Sequence, residues 1–141
     1  MTATVDRNDS WALHPVHAVL LAGTIPLFLG AMLSDIAYAS SFQVQWTNFA
    51  SWLIAGGLVF GGLALLCALA GLFRADRGRR RGLYVVLLLA TWILGFVNAL
   101  IHAKDAWGSM PAGLVVSVVV TVMACAATWL GFVGLRAGGA K

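Results

Sequence analysis

Apolar residues do not alternate with polar ones along this chain; they gather in four long runs, and the polar residues gather in the segments between them. A helix needs ~20 mainly apolar residues to cross a hydrocarbon layer ~30 Å thick, and each run meets that length. The pattern predicts helices over roughly 13–39, 49–73, 83–103 and 112–136. Connections of about ten residues join neighbours in sequence, so the predicted fold is all-α, an integral-membrane up-down-up-down four-helix bundle. One transmembrane domain uses residues 1–141. No internal repeat stands out.

Composition agrees with the pattern: of 141 residues, 61% are hydrophobic and 10% are charged, and mean hydropathy is +0.92. A cleaved signal peptide needs a basic flank, a short apolar core and a small-residue cleavage site, whereas MTATVDRNDSWALHP precedes a run too long for one, so the first run reads as a retained helix. The net charge of +4 matters less than its placement. Arg74, Arg77, Arg79, Arg80 and Arg81 cluster between runs two and three, and Arg136 and Lys141 follow run four. By the positive-inside rule both termini and the arginine-rich connection face the cytoplasm, in a multi-pass protein of the bacterial inner membrane. The arginines read as a topological signal with secondary attraction to anionic lipid, and nucleic acid is not an expected partner.

Trp11, Trp46, Trp52, Trp107 and Trp129 fall near predicted interfaces, whereas Trp92 falls mid-run. Pro15 suits a first helical turn, Pro111 precedes run four, and Pro26 is expected to kink run one. Gly57 and Gly61, repeated by Ala64 and Ala68, form a small-residue stripe for packing inside the bundle or against a second copy, most simply in a homodimer. Cys67 and Cys125 form no motif and read as apolar fillers.

Ionisable groups at membrane depth are costly and therefore informative. The set is His14, His17, Asp35, His102, Lys104 and Asp105, with Asn98 as an uncharged companion. The alternating topology puts His14 and His17 at the inner surface and Asp35, Asn98 and His102 near the outer one. Asn98 and His102 share a helix face at i and i+4, and Asp35 is expected to reach His102 from run one, as a proton-handling, ligand-orienting or quinone-anchoring pair or as a staple between helices. His14 and His17, at i and i+3, are expected on one face, as ligands or as a helix start. A haem gripped by two histidines is the obvious cofactor. His17 and His102 lie on opposite faces of the membrane, however. A shared iron then requires a two-fold dimer, a non-histidine second ligand or a displacement at Pro26. The chain carries no independent catalytic motif for hydrolysis or phosphoryl transfer.

The stretch HPVHAVLLAGTIPLFLGAMLSDIAY, with His14, Pro15, His17, Pro26 and Asp35 in that order, together with Asn98 and His102 closing run three, resembles the bacterial domain-of-unknown-function family twenty-two-thirty-one. That resemblance implies a small four-helix inner-membrane protein. It also implies a periplasmic dehydrogenase as partner, whose electrons pass to haem or quinone. The expected function is thus an inner-membrane electron-transfer module binding haem b or a quinone. Its candidate cofactor residues are His14, His17, His102, Asp35 and Asn98, with His17 and His102 as metal ligands. The alternative is a cofactor-free structural anchor or assembly module in the lipid bilayer.

Overall fold

The computed structural model describes residues 14–74 and 79–139. Trp11, Arg77 and Lys141 lie outside the described residues, as do the side chains of Arg74, Arg79 and Arg136. The chain is all-helical there: α1 (Pro15–Ser41), α2 (Val44–Arg74), α3 (Arg79–His102), the short α4 (Ala106–Ser109) and α5 (Ala112–Gly139). Four of these, all but α4, are long and apolar enough to cross a membrane.

Local chemistry sets the helix ends. At the start of α1, His14 Nδ1 accepts the Val16 N–H at 3.3 Å, and Pro15 occupies a first-turn position that needs no donor. Pro26 lies inside α1 without ending it. The helix stops at Phe42, which adopts φ 55° and donates its N–H to Tyr38 O at 2.8 Å. Only Phe42 and Gln43 separate α1 from α2, where about ten connecting residues were expected. Hydropathy marks depth in lipid, not the end of a helix. Gln45, Thr47 and Asn48 are polar yet continue α2 toward the membrane surface. Beyond α3, Asp105 caps α4 by accepting the Gly108 N–H at 2.6 Å.

Packing follows a ring. α1 lies against α2 and α5, and α3 lies against the same two, so α1 and α3 face each other across the bundle. The α1–α2 hairpin is a seam of large side chains set on glycines. A β-carbon on Gly23 would lie 2.6 Å from the Phe60 ring, one on Gly30 3.1 Å from Leu53, and one on Gly56 3.3 Å from Leu27. Each of these pairs is equidistant from the Ser41–Phe42 turn, so one tight turn sets the register of the whole seam. Beside it, a β-carbon on Gly57 would come within 2.7 Å of Phe28, itself buried. Gly57, Gly61, Ala64 and Ala68 are all buried inside the chain, so of the two expected uses of this stripe the structure shows packing within the bundle. Trp92 is explained by the same close approach: its Nε1–H donates to Leu58 O at 3.0 Å across α2, where Gly62 leaves room for the indole.

The core changes character along the bundle. Near the His17 end it is apolar, built from Leu21, Ala64, Leu65, Ala68, Val85, Leu88 and Ala127 around Tyr84. Phe28, Val120 and Ala124 continue it, and the far end holds the buried polar residues Asp35, Asn98, His102 and Ser117. Outward faces carry exposed Val, Leu, Ile, Phe and Trp, among them Trp52, Leu66, Val122 and Trp129, as a lipid-facing surface requires. Cys67 and Cys125 are among the exposed residues. Because Phe28 is enclosed, Gly57→Ala should destabilise the bundle by about 1–3 kcal/mol through overpacking. Gly71→Ala, where a β-carbon meets nothing within 4 Å, should leave stability unchanged. Thermal unfolding of both variants in one mild detergent checks the contrast.

Candidate functional site

Among the described residues, the His17–Tyr84 and His102–Asp35 hydrogen bonds cross the bundle from α1 to α3. His17 Nε2 lies 2.7 Å from Tyr84 Oη, and His102 Nε2 lies 2.8 Å from Asp35 Oδ1, each across 67 residues of sequence. The equal spacing has a geometric cause: eighteen residues separate the two bridges on each helix, about five full turns or ~27 Å, so both lie on the same face of α1 and of α3. Between them the inward positions keep step, Leu21 with Leu88, Thr24 with Thr91, Phe28 with Gly95 and Ala31 with Asn98. Two of these four pairs are identical residues, too few to announce a repeat in the sequence.

The Asp35 end is the richer site. His102 Nδ1 lies 3.0 Å from the backbone oxygen of Asn98. A carbonyl only accepts, so Nδ1 carries a hydrogen and Nε2 faces the carboxyl group. One proton then lies between Nε2 and Oδ1, as imidazolium with carboxylate or as imidazole with carboxylic acid, and the pair stays neutral in either form. The second oxygen of Asp35 accepts the Ser117 hydroxyl at 2.5 Å, and Ser117 Oγ accepts from Asn98 Nδ2 at 2.8 Å. The circuit closes on Asn98, whose side chain begins it and whose backbone ends it. It ties α1, α3 and α5 together, and Asp35 and Asn98 are 0% exposed within it. With both of its oxygens bonded in this network, the Asp35 carboxyl group is tolerated at this depth. Gly113 of α5 completes the setting: a β-carbon there would lie 2.8 Å from His102 Cε1.

α1 and α5 carry further interhelical bonds from the same seam. Thr121 Oγ1 lies 3.1 Å from Phe28 O, and Thr128 Oγ1 lies 3.5 Å from Leu21 O, while each also bonds the carbonyl four residues back on α5. Phe28 and Leu21 are seven residues apart, as are Thr121 and Thr128, so the contact repeats every second turn.

The structure brings Asp35, Asn98 and His102 together and separates the other candidates. His14 is exposed at the helix cap, whereas His17 is buried on Tyr84, so the two do not share a face as expected: the cap position points its side chain back at the backbone. His17 and His102 stand at opposite ends of the bundle, and α1 is continuous through Pro26. Each Nε2 is directed at a partner within the chain. These residues do not fit a haem iron held by two histidines of one chain, and among the described residues no group of three His, Cys, Asp or Glu side chains is placed to hold a metal ion.

Sequence reasoning missed Ser117, Tyr84, Gly113 and Thr47. A lone hydroxyl in the run AGLVVSVVV was a usable signal for Ser117, since a polar side chain in such a run must find a partner. Beside the network, an open groove of about 320 Å³ lies between the first turns of α2 and the end of α3, edged by His102 and Lys104.

A buried pair broken on one side leaves the other group uncompensated. His102→Ala and Asp35→Ala should each cost about 3 kcal/mol, and the double variant Asp35→Leu with His102→Leu should be less destabilised than their sum. Unfolding midpoints of the single and double variants measure this coupling.

Comparison with known proteins bears on the whole bundle. No curated protein and no solved structure matches the chain significantly. A family described as predicted membrane protein, DUF2231, matches residues 13–133, a stretch that takes in both cross-bundle bridges, α1 to α4 and most of α5. The chain belongs to this family of predicted membrane proteins.

Proposed function

We infer that this protein is a membrane redox module that works with a quinone and uses the Asp35–His102 pair to hold and exchange a proton. The observation that carries the reading is the pair itself: a carboxyl and an imidazole, both buried and 2.8 Å apart, at the edge of a bundle where His102 is also among the residues lining an open groove. With the arginine-rich connection on the cytoplasmic side, the pair and the groove face the periplasm of the inner membrane. That is the side on which a periplasmic dehydrogenase would meet the bundle.

A bound quinone supplies two-electron, two-proton chemistry, its electrons coming from such a dehydrogenase and its second proton from water. The chain's part is electrostatic and positional. Ser117 holds one carboxyl oxygen and the Asn98 carbonyl holds Nδ1, so the proton between Asp35 and His102 is the mobile one. Losing it leaves a single negative charge on the pair, which a proton from the groove restores.

A second reading, a cofactor-free anchor, is favoured by one feature: the hydrogen-bond circuit closes within a single chain, as a staple between helices would. Titration of the purified protein with a short-tailed ubiquinone separates the two. The redox reading expects saturable quenching of tryptophan fluorescence near one quinone per chain, weakened about tenfold by His102→Ala. Quenching that rises linearly with quinone, as simple partition into detergent does, would sink it in favour of the anchor.

A further inference from the structure

Among the described residues, two buried side-chain atoms lack a hydrogen-bond partner, Thr47 Oγ1 and Asn98 Oδ1. Both residues stand near His102: Asn98 is one turn before it on α3, and Thr47 lines the groove that His102 also lines. Unpaired polar groups in such burial are rare and costly, so each calls for a ligand or a water.

Thr47 is the more informative of the two. Thr91, Thr121 and Thr128 each donate their hydroxyl to the carbonyl four residues back, the usual way of satisfying a helical threonine in an apolar setting. Thr47 does not, although it is 6% exposed. Its hydroxyl is left with a proton to give. The groove around it, at about 320 Å³, is at the lower end of the size range for small-molecule sites. Its polar lining, Gln45, Thr47, Asn48, Ser51, His102 and Lys104, includes hydroxyl, amide and ammonium donors and no carboxylate. A donor-rich, acid-free wall suits a ligand whose polar atoms only accept.

We propose that this groove is the headgroup site for a quinone, with the Thr47 hydroxyl donating to one carbonyl oxygen and His102 beside it linking the site to the Asp35 carboxyl. The assignment rests on the redox reading above and gives it a location. A quinone fits the chemistry of the wall because its two ring oxygens are acceptors without charge. The groove's place at one end of the bundle, bordered by Val44 and Ala106 as well as by polar groups, lets a headgroup enter while its tail stays in lipid.

The test uses the full chain in detergent, a short-tailed ubiquinone as the probe, and the variants Thr47→Val and Thr47→Ser. Loss of one hydrogen bond should weaken binding about fivefold in Thr47→Val, and Thr47→Ser should restore it to within about twofold. Without quinone, Thr47→Val should unfold at the same temperature as the wild type or higher, since the substitution removes a buried hydroxyl that has no partner. Equal quinone binding by wild type and Thr47→Val would overturn the groove assignment and leave the redox reading standing. Destabilisation of ligand-free Thr47→Val would also overturn it, by showing that the hydroxyl serves the fold. Absence of saturable binding by the wild type would remove the redox reading itself, and the groove assignment with it.

Discussion

A carboxyl group with no access to water must be given its hydrogen bonds by the protein, and the Asp35 end of this bundle is organised around that demand. Asp35 lies on α1, but its partners come from α3 and α5, so the three helices meet there in one relative rotation and depth. In lipid there is no hydrophobic force between helices to hold such an arrangement. Hydrogen bonds and close packing have to do it, and a slip of one residue on any of the three helices would leave a charge or an amide unpaired.

The rest of the bundle supplies the closeness that the network needs. Glycines on α1 and α2 let Phe60, Leu53 and Leu27 seat against bare backbone, and a two-residue turn fixes which large residue meets which glycine. Threonines on α5 tie that hairpin to the other side through carbonyls of α1. His17 and Tyr84 close the opposite end, five turns from Asp35 and His102, so α1 and α3 are held at two levels across the bundle axis. The result is a scaffold in which the His102 ring is gripped by Asp35, by its own helix and by Gly113, in a residue that also lines the groove. That combination of a fixed, paired imidazole and an accessible neighbour space is what connects the packing to a functional reading.

Part of the site was legible in advance. Asn98 and His102 share a helix face by spacing alone, and scarcity in an apolar chain singled out Asp35 and His102 as a pair. The histidines of the first turn misled because a cap residue and its neighbour in the helix point differently: His14 turns to Val16 N and His17 to Tyr84. Tyr84 and Thr47 escaped notice because tyrosine and threonine near a membrane surface are ordinary, and what sets these two apart is burial. Trp92 was recognised as out of place without its reason, a carbonyl on α2 that lies thirty-four residues away in sequence.

By itself the sequence determined that four helices cross a membrane and alternate in direction, because the length and polarity of each run answer to the thickness and dielectric of the bilayer. Those are properties of a segment and its solvent, with no neighbour involved. Where α2 begins, which glycines receive which side chains, and which hydroxyl completes the Asp35 pair were decided only in the tertiary structure. Each depends on the rotation and depth of one helix against another, and an almost uniformly apolar run leaves those two quantities open until the few polar groups find their partners.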